Sequence, residues 1–125
     1  MSKDKPIEII WLEVVDEHSY QAAESYLSLI YSGDRVVETI ADLRNAPVVQ
    51  FKSKDIFRAS RLTLLGASNS HVAKDNEKIR NGQGLSPILL LRDEQNGKVV
   101  IADGFHRLCA IYGFDEDAWI RCKII

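Results

Sequence analysis

Five consecutive residues, Asp103-Gly104-Phe105-His106-Arg107, combine side chains and backbone freedom that suit the binding of an anion. The apolar run Val99 to Ala102 before them predicts a short buried strand, and the apolar residues after them recur at helical spacing. The polar residues therefore lie where a strand turns into a helix, whose first N–H groups are unpaired and partially positive. Gly104 carries no Cβ that would keep a ligand from those groups, and Arg107 offers a planar fork of donors. The pattern predicts an anion site, with phosphate as the expected ligand.

A simpler interpretation of the same residues needs no ligand. Asp103 is also a favourable N-cap, with Gly104 at a tight turn, and His106 and Arg107 would then form a solvated first turn. Beside a bound phosphate, the Asp103 carboxylate would either hold Mg²⁺ or face away as a cap, because like charges repel. Of these two roles we slightly favour capping.

The run from Asp103 to Arg107 resembles the signature of the ParB/sulfiredoxin-like superfamily. Sulfiredoxins carry Gly-Gly-Cys-His-Arg here, ParB proteins carry a Gly-Glu-Arg-Arg type of motif, and a related free-serine kinase carries Asp-Gly-His-His-Arg. The resemblance implies that strand, turn and helix start form a nucleotide-phosphate site. It makes Gly104, Phe105, His106 and Arg107 binding residues for ATP or another nucleotide, with Mg²⁺ as a candidate companion.

The resemblance covers roughly residues 47–125. A predicted helix over 71–80 is followed by Gly82 and Gly84 and then by an apolar strand over 88–92. Asn96-Gly97 between that strand and the next predicts a hairpin, and residues 119–124 resemble the closing strand of the family. The expected fold is α+β: a ParB/sulfiredoxin-like core, with a small mixed sheet and helices, within a single domain of residues 1–125.

The N-terminal segment, residues 1–46, lies outside that resemblance and predicts a helical extension. Residues 7–15 are apolar enough for a strand or an extended arm anchored by Trp11. A first helix is expected from an Asp16 cap through Tyr31, and a second from Gly33 to a point before Pro47. This hairpin could be a lid, a dimer surface or simple packing on the core.

Basic residues are concentrated between the first core strand and the glycine turn. They are Lys54, Arg58, Arg61, Lys74, Lys78 and Arg80. One or two of them could complete a phosphate clamp with Arg107, and Lys74 and Lys78 share one helix face. The alternative is a solvated helix face. His71 follows the capping residues 68–70 and could be either a general base or an exposed cap residue.

The reaction, if there is one, stays open, with Asp103, His106 and His71 as catalytic candidates. Phe105 stands where sulfiredoxins have their cysteine, and a phenyl ring cannot act as a nucleophile, so sulfinic acid reduction is not expected. No DNA-binding helices follow the last core strand, so a partition protein is not expected either. The remaining possibilities are a phosphotransferase, a nucleotide hydrolase, and a non-catalytic binding or protein-interaction module. The expected ligand is a nucleotide or a phosphorylated small molecule. A protein partner or a homodimer is compatible with each.

Composition excludes several other classes of protein. The net charge is −2, which argues against a general nucleic-acid binder. No run approaches the roughly 18 apolar residues of a membrane span, and residues 1–6 lack the apolar stretch of a signal peptide. A cytoplasmic protein is expected. Cys109 and Cys122 lie in no metal-spaced cluster, so no metal site is predicted and both are expected to be buried thiols.

Overall fold

The computed structural model describes residues 7–125, and this part of the chain has a mixed α+β architecture. An N-terminal pair of helices is followed by four strands and three further helices. In chain order the elements are α1 (Glu17–Leu27), α2 (Gly33–Asn45), β1 (Val49–Lys52), α3 (Ser53–Ser60), α4 (Ser70–Arg80), β2 (Ile88–Asp93), β3 (Lys98–Asp103), α5 (Phe105–Phe114) and β4 (Trp119–Ile124). The predicted α+β class is confirmed.

The four strands form one mixed sheet in the order β1-β4-β2-β3. β1 pairs antiparallel with β4, β4 pairs parallel with β2, and β2 pairs antiparallel with β3. The predicted hairpin therefore exists, but a short 3₁₀ turn (Glu94–Asn96) precedes the glycine that closes it. Gly97 has a φ of 62°, in the left-handed region that glycine adopts without a steric penalty.

Strand β2 is buried on both faces, which explains its uninterrupted apolar sequence. Ile88 and Leu90 pack into a core that α3, α4 and α5 share with the sheet. Leu89 and Leu91 point the other way and pack against α1 and α2. The sheet is thus the middle layer between two groups of helices.

The N-terminal helices pack on the sheet, which is one of the roles considered for this extension. The Asp16 side chain caps α1 by accepting from the His18 N–H. The first helix is nevertheless shorter than predicted, because it ends at Leu27 and not at Tyr31. The Ser28 hydroxyl donates back to the Glu24 carbonyl, and the following residues form tighter turns.

The segment before α1 is an extended arm, in agreement with one of the two alternatives for it. Trp11 makes an isolated parallel bridge with Leu85 and packs against the core. The prediction about residues 1–6 falls outside the described residues. Within residues 7–125, no helix has the length and apolar character needed to cross a bilayer.

Both cysteines are buried free thiols, as predicted. Burial raises the pKa of the Cys109 thiol, and it raises the pKa of Cys122 to about 11. Cys109 is 2% exposed and Cys122 is fully buried. Neither is placed to act as a surface nucleophile, because the reactive form of cysteine is an accessible thiolate.

Candidate functional site

The junction between β3 and α5 is built around Gly104, which occupies the N-cap position of α5 with a φ of 112°. No side chain of the described residues caps this helix. The first intrahelical hydrogen bond runs from the Leu108 N–H to the Gly104 carbonyl at 2.9 Å. The N–H groups of Phe105, His106 and Arg107 therefore have no acceptor within the helix.

Asp103 is not the N-cap, so the favoured interpretation of that residue is wrong. Gly104 takes the cap position and leaves Asp103 one residue earlier, as the last residue of β3. Its carboxylate accepts a hydrogen bond from Arg107 Nη2 at 2.8 Å instead. The two side chains are only 16% and 18% exposed. A solvated first turn is also wrong, because Arg107 is largely buried.

The glycine at position 104 is required by packing as well as by its backbone conformation. A Cβ there would lie 2.8 Å from Ile88 Cγ1 and 2.9 Å from Arg107 Nη2. Both distances are too short for van der Waals contact. The space that a side chain would take is thus already filled by protein atoms, and not reserved for a ligand as the sequence suggested.

Helix α4 supplies the opposite wall of a small polar cleft at the start of α5. We call it the α4–α5 cleft; it has a volume of about 200 Å³. Its lining residues are His71, Lys74, Asp75, Lys78, Asp103, Gly104, Phe105, His106 and Arg107. The three catalytic candidates, the residues of the motif and two of the basic candidates therefore line one cleft, although 24 residues of chain separate α4 from α5.

Four of the six basic candidates lie elsewhere. Lys54 forms an exposed ion pair with Asp117 at 2.7 Å. The remaining three point toward other partners: Arg58 toward Asp55, Arg61 toward the Gly97 carbonyl, and Arg80 over the Phe114 ring. Only Lys74 and Lys78 reach the cleft, where both are exposed at its rim.

Two histidines face each other across the cleft. The ring centroids of His71 and His106 are 4.8 Å apart, with 38° between the ring planes. His71 lies in the first turn of α4. Asn69 caps this helix by accepting from the His71 and Val72 N–H groups. His71 is therefore not itself the cap. The pair places two imidazole rings beside the uncapped start of α5.

Phe105 contributes differently from its neighbours. Its ring packs against Phe57, with centroids 6.2 Å apart, and joins the edge of the core. The polar group that it can offer a ligand is its backbone N–H.

Asp75 is a cleft residue that the sequence analysis missed. It is 9% exposed, and burial raises the pKa of its carboxyl against the opposing influence of Lys78, Arg107 and the two histidines. Its nearest ion-pair partner in the described residues is Lys78 Nζ, at 3.9 Å. A signal was present, since Asp75 lies on the same face of α4 as the buried Val72 and Ile79. An acidic residue within an apolar helix face is uncommon without a partner.

A larger pocket, of about 410 Å³, lies between α3 and the sheet and contains none of the predicted site residues. Its walls are mainly apolar, with Phe51, Ile56, Leu90 and Ile124 among them. The two pockets differ in character, because the surface of the larger one is mainly apolar and that of the α4–α5 cleft is mainly polar.

Metal ligands are sparse within residues 7–125, where no group of three or more His, Cys, Asp or Glu side chains could hold a metal ion. Asp103, the residue considered for Mg²⁺, is held by Arg107. The sequence and the fold match no family model, no curated protein and no solved structure.

Proposed function

We propose that the α4–α5 cleft binds the phosphate group of a nucleotide or of a phosphorylated small molecule. The observation that supports this function is the convergence of three cationic side chains, Lys74, Lys78 and Arg107, on the uncapped N-terminus of α5. Lysine and arginine hold phosphate by charge-assisted hydrogen bonds, and an open helix start adds backbone donors.

The balance of charge favours an anion. Asp103 is paired with Arg107 at 2.8 Å, so its charge is largely compensated. Asp75 is the remaining carboxylate of the cleft, which Lys74 and Lys78 also line. Arg107 also has an Nε that is buried and has no hydrogen-bond partner among the described residues. A buried donor without an acceptor is uncommon in folded proteins, and this one belongs to a residue that lines the cleft.

The size of the cleft limits what enters it. Its volume of about 200 Å³ is below the roughly 300–1,000 Å³ of pockets that enclose a drug-sized ligand. A phosphate group would fill the cleft, and a nucleoside or other organic part would lie at its mouth, on the exposed side of α4.

We further propose that the core is a relative of the ParB/sulfiredoxin-like superfamily. The proposal is supported by the order α4, glycine turn, β2, β3, α5 and β4, and by the position of the motif at the β3–α5 junction. Phe105 at the position of the sulfiredoxin cysteine keeps sulfinic acid reduction out of this proposal, and the buried Cys109 offers no replacement.

A phosphotransferase or nucleotide hydrolase is the second candidate function, and the alternative to catalysis is a binding module. The His71–His106 pair favours catalysis, since an imidazole nitrogen can act as a general acid or a general base. Phosphate release from a nucleotide would support the enzyme. Binding without release, with any acceptor supplied, would support the module.

A thermal-shift panel of inorganic phosphate and nucleotides, with and without Mg²⁺, tests the proposal. At a ligand concentration about 100 times the Kd, binding should add about 2.7 kcal/mol to the free energy of unfolding. For 125 residues this corresponds to a rise in Tm of about 10 °C. The K74A/K78A double variant should lose most of the rise.

Arg58→Ala is the matched control, because Arg58 is a basic residue whose side chain is 86% exposed and lies outside the cleft. It should keep the full ligand-induced rise. If no phosphate compound shifts the wild-type Tm, or if the control and the double variant lose the rise equally, the proposed function is wrong.

A further inference from the structure

We propose that Asp75 makes the α4–α5 cleft selective for a phosphate group that carries a proton over sulfate. This inference rests on the proposed function and concerns which anion the cleft accepts. The supporting observation is a buried acidic side chain that lines a cleft otherwise suited to anions.

The position of Asp75 is unusual for an anion site. The residue is 9% exposed, and its carboxylate accepts no hydrogen bond from the described residues. Lys78 Nζ, at 3.9 Å, is close enough for attraction and too far for a hydrogen bond. Asp103, by contrast, has its own donor in Arg107. Asp75 is thus the carboxylate of the cleft that has no hydrogen-bond donor among the described residues.

A bound phosphate can supply that donor. Near neutral pH, inorganic phosphate carries at least one O–H group, whereas sulfate carries none and has a similar size and shape. The phosphate O–H would donate to the Asp75 carboxylate, so that one proton lies between the two acids. Sulfate at the same place would face the carboxylate with no proton between them, and the two negative charges would repel.

The other charged groups of the cleft do not distinguish between the two anions. His71, Lys74 and Lys78 of α4 and His106 and Arg107 of α5 can donate to any oxyanion, and the Asp103 carboxylate of β3 already accepts from Arg107. These groups would therefore affect both affinities together. The ratio of the phosphate and sulfate affinities isolates the contribution of Asp75.

Isothermal titration of the full chain with sodium phosphate and with sodium sulfate, at equal ionic strength near neutral pH, measures that ratio. Wild-type protein should bind phosphate about 10 to 100 times more tightly than sulfate, the range expected for one hydrogen bond to a charged group. Asp75→Asn should reduce the ratio to about threefold or less, mainly by improving sulfate binding. The asparagine amide can donate a hydrogen bond to either anion.

Glu77→Gln is the matched control, since Glu77 is an exposed acid on the same helix that does not line the cleft. It should leave the ratio unchanged. Equal wild-type affinities for the two anions, or a ratio that survives Asp75→Asn, would overturn the selectivity and leave phosphate binding intact. If neither anion binds to the wild-type protein, the proposed function itself fails. The wild-type ratio needs no variant, so the test holds even if Asp75→Asn folds poorly.

Discussion

Removal of the Arg107 side chain should destabilise the protein without any ligand, because this residue has a structural partner. Arg107 Nη2 donates to Asp103 at 2.8 Å, and both side chains are less than one-fifth exposed. An exposed pair contributes about 0–1 kcal/mol, and breaking a fully buried one costs about 3–5 kcal/mol. For this intermediate pair we expect Arg107→Ala to cost about 1–3 kcal/mol.

The corresponding change in Tm follows from the length of the chain. The unfolding entropy of 125 residues is about 0.26 kcal/mol per kelvin, so the Tm should fall by about 4–12 °C. Differential scanning calorimetry of the ligand-free protein measures this directly. Asp103→Asn and the double variant complete a cycle, in which the double variant should lose less stability than the sum of the single variants.

The control for this cycle is again Arg58→Ala, whose Tm should stay within about 2 °C of wild type, as for most exposed substitutions. A fall of less than about 2 °C for Arg107→Ala would refute the ion pair. The interpretation of Arg107 as a solvated residue, which the structure now contradicts, would then be restored.

Three further predictions concern the same part of the molecule. Gly104→Ala should lower stability by about 2–5 kcal/mol in calorimetry, because of the positive φ and the 2.8 Å approach to Ile88; a loss below about 1 kcal/mol would contradict the packing. Asp75→Asn should raise the Tm near neutral pH. Burial raises the folded-state pKa of Asp75, so the protonated carboxyl stabilises the fold at low pH and this stability is lost as the pH rises. The gain in Tm from Asp75→Asn should therefore disappear in acid. Thiol titration should show Cys109 and Cys122 unreactive in the native protein and both reactive in denaturant; fast native labelling would contradict their burial and raised pKa values.

The elements that the sequence predicted well are those with local signals. Asn96-Gly97 between apolar runs indicated the β2–β3 hairpin, and Asp103-Gly104 marked the boundary between β3 and α5. The end of α1 was predicted less well, because Leu29 and Ile30 continue the apolar pattern although they are 83% and 51% exposed. Periodicity alone does not reveal whether a face has anything to pack against.

The site depended more strongly on tertiary structure. Local sequence named His71, Lys74 and Lys78 as candidates, but only the packing of α4 against α5 separates them from basic residues with partners elsewhere. The pairing of Asp103 with Arg107 could not be distinguished from capping by residue type, since both roles suit an aspartate at a helix start. The burial of Asp75 depends on how α4 packs in the folded chain. Helical spacing indicates only that Asp75 shares a face with Val72 and Ile79.

The most direct test of phosphate binding at the α4–α5 cleft is a titration of ¹⁵N-labelled protein with inorganic phosphate, followed through its backbone amide resonances. The amides of Phe105, His106 and Arg107 have no acceptor within α5 and should show the largest, saturable shifts, with smaller shifts along the facing side of α4. Sodium chloride at equal ionic strength should leave them in place. Absent shifts at these three amides, or larger ones around the apolar pocket between α3 and the sheet, would contradict the account.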